Sequence, residues 1–372
     1  MMAMIWSWAF GDETEADLES IGFDLVFLSG GASAAWSAES TAVDPLNAYT
    51  YAGSPTRYSL GCDVNSTIGA GRVTLPSVSH PSPPQGIVTL AYRTTDATVF
   101  DATNRLIEIQ TGNTGNAAFV RPTGSGSNTL SLYIDNAFRG TSGAVNANNW
   151  NYIALVFDLT TATYSASFYV NGVLQGSGTT SIFVTPQGIS LIRFQTTQQG
   201  SGLGATSLFG QVITYDDPVG DLADAVSPDN FVTRVVPNAN GAGTIGSWSP
   251  TGAASLYEAV DPPIDNTTYA GITAPTPLDR LEVQTASATD LQNLLGINPS
   301  SIKGATVHSV SLGTATTAKV GIQEGGSETL SAAQPVLTSD TYLVESVANN
   351  PSTGTAWVGA DQPILVYEID TV

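Results

Sequence analysis

The stretch NNWNYIALVFDLTTATYSASFYVNGVLQGS, residues 148–177, limits the fold more than any other part of the chain. In TYSASFYVNG, Tyr164, Ala166, Phe168 and Val170 alternate with Ser165, Ser167 and Tyr169. A period of two places the first set on one face of a sheet. Asn171-Gly172 then supplies the two positive-φ residues of a type I′ turn, which joins antiparallel neighbours tightly. The apolar run YIALVFDL ahead of it reads as another strand of the same sheet.

Similar short segments recur along the chain: IWSWAF, GIVTLAYRT, RLIEIQT, AAFVRP, TLSLYID, ISLIRFQ and SLFGQVITYD, separated by Gly, Asn, Pro or Ser clusters. Many short strands with turn signals between them predict a sandwich or barrel. Helical signal is thin. DETEADLESIGF, SATDLQNLLGI and DPVGDLADAVSPDNF could each hold one short helix, with Ser287 or Thr289 capping the second. A length of 372 residues suggests two domains. The break falls near 217–230, giving domains at residues 1–226 and 227–372. Beyond it, a loop-rich opening (VVPNANGAGTIGSWSPTG, then DPPIDNTTYAGITAPTP) precedes the strands KGATVHSVSLGTAT, AKVGIQEGG, TYLVESVANNP and PILVYEID. No short-period repeat points to a solenoid.

Charge excludes whole classes of partner. The formal net charge is −21, with 9 Arg and 2 Lys against 32 acidic residues. Nucleic acid and anionic membrane both call for a basic footprint, and neither is an expected partner. The single cysteine, Cys62, allows no intrachain disulfide and no cysteine-based zinc cluster, and reads as a small core residue. The opening MMAMIWSWAFGDETEADLES lacks a basic n-region, so it does not read as a signal peptide. No apolar run reaches membrane-spanning length. Only 12% of residues are charged, so the surface is rich in Ser, Thr, Asn and Gln, as in extracellular β proteins. A virus particle reconciles that surface with the lack of an export signal, because its parts assemble in the host cytoplasm and meet the outside later.

Residues 148–177 resemble the concanavalin A-like (laminin G-like) jelly-roll family. Trp150, Ala154, Asp158, Tyr169, Val170, Asn171 and Gly172 carry the likeness, and the similarity extends over about residues 1–226. It implies a jelly-roll sandwich. The second half resembles a segment of tailed-bacteriophage virion proteins, through Trp248, Tyr257, Val260, Asp261, Pro263, Asp265, Tyr269, Pro351, Gly354 and Trp357. Together the likenesses imply an all-β virion structural protein, a jelly roll followed by a second β-sandwich. Such a protein decorates or cements a capsid, or serves in a tail or fibre, without enzymatic activity. Other virion proteins and further copies of the chain are the partners this implies. The alternatives are a lectin-like fibre protein that grips host glycans, and a jelly-roll polysaccharide hydrolase.

Residue by residue, Trp150, Asn171, Gly172, Trp248 and Trp357 read as structural. Each buried indole N–H needs one acceptor. Trp6 and Trp8 alternate on one face, as an edge strand of the first sandwich would place them. Glu15, Asp17 and Glu19 match the E-x-D-x-E strand of family-16 glycoside hydrolases, but GDETEADLESIGF reads as turn or short helix. GAGTIG, 241–246, fits G-x-G-x-x-G, but the nucleotide-binding version follows a strand and opens a helix, and this one sits between PNAN and SWSP, so it reads as a loop. His80 and His308 lack ligand-spaced partners. Asp216, Asp217 and Asp221, with Asp224 nearby, are the candidates for Ca²⁺, the one cofactor considered; a plain acidic linker is the simpler reading.

Overall fold

A computed structural model describes residues 4–10, 15–27, 36–40, 58–64, 71–94, 103–112, 115–124, 127–145, 149–181, 188–196, 205–216, 222–228, 230, 232, 237–260, 268–285, 304–313, 317–358 and 361–372. They form two compact units that meet in sequence at Val232 and Thr233. The protein is all-β.

The first unit opens with β1 (Met4–Ala9), α1 (Glu15–Ser20), β2 (Asp24–Phe27), β3 (Trp36–Ser40), β4 (Tyr58–Val64) and β5 (Gly71–Thr74). Next come β6 (Gln85–Thr94), β7 (Ile107–Thr111), β8 (Gly115–Pro122), β9 (Thr129–Ile134) and β10 (Ala137–Ala144). It ends with β11 (Asn151–Asp158), β12 (Thr163–Val170), β13 (Val173–Ser181), β14 (Ile189–Gln195), β15 (Ala205–Tyr215) and one turn of helix, α2 (Leu222–Ala225). One sheet runs β13-β12-β11-β6-β15-β4-β3, and the second runs β10-β9-β8-β7-β14-β5-β2. The pairings are antiparallel, as hairpins and long returns of a jelly roll require.

The β11–β12–β13 meander forms as its residues dictate. β11 pairs β12 from Ile153 opposite Val170 to Asp158 opposite Ser165, and β12 turns into β13 through Asn171 (φ 50°) and Gly172 (φ 78°). Asn171 Oδ1 also accepts the backbone N–H of Tyr152 at 2.8 Å, so the residue that turns β12 into β13 also extends the β11–β12 ladder. Trp6 and Trp8 are both buried, stacked at 6.3 Å, and packed against Phe23. Their strand joins the first sheet along β15. One edge of β15 is divided: residues 205–209 pair with β4 and residues 211–215 with β1. Between the sheets an aromatic chain runs Phe23, Phe10, Phe194, Phe209, Tyr92, with successive ring centroids 4.7–6.1 Å apart. On the far side of the first sheet, α2 covers Ile87, Ala154, Val156, Ile213 and Tyr215 with Ala225 and Val226. Gln211 there accepts from Val232 N at 2.7 Å and donates to Asn230 O at 2.8 Å, which fixes the chain leaving the unit.

The second unit contains β16 (Pro237–Asn240), β17 (Trp248–Thr251), α3 (Leu256–Ala259), β18 (Tyr269–Ile272), β19 (Arg280–Thr285) and β20 (Ala305–Ser311). β21 (Thr317–Glu324), β22 (Ser327–Leu330), β23 (Gln334–Pro335), β24 (Thr341–Val347) and β25 (Ile364–Thr371) follow. A six-stranded sheet runs β16-β19-β25-β21-β22, with β23 also on β21. The β20–β24 pair packs on it: Val307, Leu343 and Val347 meet Ala318, Val320, Ile322 and Trp357 in one buried cluster. The opening of this half is less loop-like than its composition suggests. β16 and β17 are strands of four residues with Asn, Ser and Pro in them, and each pairs with a strand later in the chain, β19 and β18. Neither short strand shows sequence alternation to announce it. The 287–297 helix candidate and the 261–265 Pro/Asp run lie outside the described residues.

Candidate functional site

Strand alternation gives the seven-stranded sheet two chemically different faces. Ile109, Val120, Leu132 and Phe194 turn into the sandwich core. Arg193, Glu108, Phe119, Tyr133 and Phe138 therefore turn the other way, and the register sets them side by side across β14, β7, β8, β9 and β10. Thr74 and Asp24 continue the row on β5 and β2.

Glu108 is fully buried on this outer face, roofed by its own partners. It forms ion pairs with Arg105 and Arg193 and accepts from Gln110 Nε2 at 2.9 Å. The Arg105 guanidinium also lies 4.4 Å from the Phe119 ring centroid. Phe119 and Tyr133 stack at 5.0 Å with planes 5° apart, and Arg121 caps the Tyr133 ring at 4.2 Å. Phe138 meets Tyr133 edge-on at 5.9 Å and is 56% exposed. Cation–π contact of this kind holds a guanidinium flat and in place.

Arg121 differs from Arg105 and Arg193, which share Glu108. Its Nε is buried and has no hydrogen-bond partner among the described residues, and no carboxylate among them pairs with it. Beside it runs a hydroxyl chain: Thr123 Oγ1 to Ser131 Oγ at 2.8 Å, and Ser131 Oγ to Thr141 Oγ1 at 3.0 Å. Thr123 and Thr141 are exposed. The face thus carries an aromatic ring, a fixed guanidinium and a row of hydroxyls within one small area.

The second unit holds a different polar cluster, closed on itself. Arg280 is bonded to Glu282 at 2.7 Å and Glu328 at 2.6 Å, with Glu368 at 3.5 Å. Burial works against its charge, but the hydrogen bonds and charges of Glu328 and then Glu282 outweigh that and hold it above its ordinary value. The GAGTIG loop belongs here. Gly243 N donates to Glu282 Oε2 at 2.8 Å, and Gly241 N donates to Glu282 O at 2.8 Å. A Cβ on Gly243 would lie 2.5 Å from both Glu282 carboxylate oxygens. The glycines let the backbone reach an anion, and that anion is an internal carboxylate.

The residues singled out in the sequence are dispersed through the molecule. Trp150 is buried with Ala91 and Leu208, and its Nε1 has no hydrogen-bond partner among the described residues. Trp357 Nε1 donates to Val347 O at 3.2 Å. Trp248 Nε1 donates to Ile245 O at 3.0 Å, and its ring meets Tyr367 edge-on. Asn171 and Gly172 form the turn described above. Glu15, Asp17 and Glu19 lie on α1, so the alternation that a hydrolase strand needs is absent there. Burial and the charge of Glu19 raise the Glu15 carboxyl above its ordinary value. Asp217 and Asp221 lie outside the described residues, as does the Cys62 side chain. Among the described residues no group of three or more His, Cys, Asp or Glu side chains is placed to hold a metal. His308, on β20, meets the Tyr342 hydroxyl through Nδ1. His80 is held down at about 4, chiefly by burial. Arg105, Glu108, Phe119, Arg121, Tyr133, Phe138 and Arg193 escape a reading of the sequence, because only the register brings them together.

No family model and no curated protein matches the chain. Among solved structures it is similar to domain 4 of an extracellular arabinanase from Geobacillus stearothermophilus, bound to arabinotriose, at 12% identity, covering 58% of this chain and 93% of that one with a TM-score of 0.33. It is similar to a carbohydrate esterase of the Shiga toxin-encoding bacteriophage phi24B, at 14% identity over 58% of this chain and 100% of that one, TM-score 0.36. An alginate lyase from Aplysia kurodai is similar at 10% identity over 57% of this chain and 98% of that one, TM-score 0.38.

Proposed function

We propose that the chain is a non-enzymatic structural protein of a phage particle, exposed on its surface as a capsid decoration or cement, or as part of a tail or fibre. Its work there is assembly, stabilisation or adhesion. The observation that supports its non-enzymatic part is the state of one buried glutamate in each unit: Glu108 is engaged by two arginines and a glutamine amide, and Glu282 by Arg280 and a glycine-loop N–H; the particle part rests on the resemblance of the second half to tailed-bacteriophage virion proteins. A general acid or base has to exchange a proton with its substrate. A carboxylate closed on all sides ties strands together instead. Trp248 and Trp357, part of the virion-like segment, act in the same mechanical way, each clamping its loop through an indole N–H. The partners are other virion proteins and further copies of the chain in a symmetric assembly. A net charge of −21 opposes nucleic acid as a partner. The site of action is the mature particle, after assembly in a bacterial cytoplasm. Quantitative mass spectrometry of particles purified from cells that make the protein tests this. Hundreds of copies per particle mean capsid decoration and a handful mean tail or fibre; absence from purified particles rejects the reading.

A second reading, a glycan-gripping receptor-recognition protein of a fibre, is favoured by one observation: the exposed Phe138 ring and the clamped Arg121 both meet Tyr133 on one sheet face. Binding of the isolated protein to a glycan array tests it, and a blank array rejects it.

A further inference from the structure

We propose that Arg121 and Phe138, on the outer face of the seven-stranded sheet, form a binding site for a carboxylate-bearing polysaccharide, with the carboxylate on Arg121 and a sugar ring on Phe138. The proposal deepens the glycan-gripping reading and rests on it.

Three observations converge. First, the chain carries 32 acidic residues against 11 basic ones, yet no carboxylate among the described residues pairs with Arg121. Arg105 and Arg193, on the same face, share Glu108. A guanidinium is planar, always charged and matched to a carboxylate by two parallel N–H donors. Arg121 is also fixed before any ligand arrives, capped on Tyr133 at 4.2 Å and 5.8 Å from Phe119. Its Nε is buried without a partner among the described residues, so part of the group's hydration is already lost before any ligand arrives.

Second, the aromatic neighbour is of the right kind. Phe119 is covered by Arg105 and Tyr133 by Arg121, so neither offers a face to a ligand. Phe138 is 56% exposed and stands edge-on to Tyr133, which orients it. A large exposed apolar ring one residue across from a partly buried cation, with Tyr133 between them, suits a ligand with an apolar face and a charge, and a uronic acid ring has both.

Third, the Thr123–Ser131–Thr141 chain crosses the strands that carry Arg121 and Phe138, with Thr123 and Thr141 exposed at its ends and Ser131 buried between them, each hydroxyl able to donate or accept. Sugar hydroxyls have the same versatility. At −21 the whole molecule repels polyanions in general, so an acidic glycan is held only where cations are concentrated. Arg72, Arg105, Arg121 and Arg193 all lie on or over this face, against Asp24 and Glu108.

Isothermal titration calorimetry of the full chain with polygalacturonate, with alginate, and with fully methyl-esterified polygalacturonate tests the site. The ester keeps the ring scaffold and removes the charge. The expected result is binding of both uronates and a loss of at least about tenfold on esterification, the scale of one charge-assisted contact. R121Q should show the same loss for the uronates. F138A should weaken uronate and ester alike. Phe138 is exposed, so F138A keeps its fold, and circular dichroism with a thermal melt checks R121Q. Equal affinity for uronate and ester, or R121Q binding as tightly as the wild type, overturns the acidic-glycan assignment while glycan binding stands. No heat with any of the three overturns both. A change in oligomeric state of R121Q on size exclusion, with no change in uronate affinity, assigns the face to a second copy of the chain and likewise overturns the proposal.

Discussion

A Cβ atom on Gly140 would lie 2.8 Å from the Cα of Gly176, and one on Gly176 would lie 3.1 Å from the Cα of Gly140. β10 and β13 belong to opposite sheets, and here they meet backbone to backbone. The sandwich is closed along this side by the absence of two side chains.

Gly176→Ala should therefore destabilise the first unit by about 1–3 kcal/mol, the usual range for forcing a methyl into packed structure. Gly143→Ala, on the same β10, meets nothing within 4 Å and should stay within about 0.5 kcal/mol of the wild type. Urea denaturation of the two variants checks the difference; equal midpoints would show that the strands part readily.

Asn171 has two jobs, which substitutions separate. Asn171→Gly keeps the positive φ and loses only the bond to Tyr152 N, at a cost of about 1 kcal/mol. Asn171→Ala loses the bond and strains the turn, and should cost about 1 kcal/mol more. Thermal melts should rank wild type, Gly and Ala in that order.

Arg280→Met leaves Glu282, Glu328 and Glu368 facing one another without their cation. Breaking a buried ion pair from one side costs about 3–5 kcal/mol. The second unit should unfold at markedly lower denaturant, by circular dichroism, while the first unit's transition is unmoved. Lys319→Met, which removes the surface cation from Asp370 and Glu368, should have a smaller effect.

Burial holds the His80 imidazole down at about 4, against a weaker opposing hydrogen bond to the Ile189 backbone. The unfolded chain therefore binds the proton more readily than the folded one between pH 6.5 and 4. The sign follows: stability is full above about pH 6.5 and declines as pH falls to about 4, by on the order of 3 kcal/mol from this group. His80→Gln should flatten that part of the stability–pH curve. Parallel curves for the two proteins would refute the assignment.

The sequence discloses what depends on neighbours along the chain. Alternation at Tyr164–Val170 and the Asn171-Gly172 pair mark the hairpin, and Trp6 with Trp8 mark a buried strand face. A second turn of the same kind, Asp135 and Asn136 with φ of 46° and 62°, joins β9 to β10 and is harder to see, since neither residue is glycine. What depends on register stays hidden. Arg193 and Glu108 are 85 residues apart, and their contact exists only because β14 lies beside β7. The GAGTIG loop is readable as a loop, but its anion sits 39 residues further on. The candidate site was illegible for the same reason: Phe119, Arg121, Tyr133 and Phe138 look like routine strand residues until three strands are laid side by side.

The divided edge of β15 has a bearing on biosynthesis. Trp6 O and Thr214 Oγ1 are in contact across 208 residues. At bacterial elongation rates of about 5–20 residues per second, the ribosome needs roughly 10–40 s to deliver the partner strand. Until then two indoles built for an interior stand in water, and the nascent chain must be shielded or stay sparse enough not to clump. Whatever limits the yield of this protein in a cell begins with that wait.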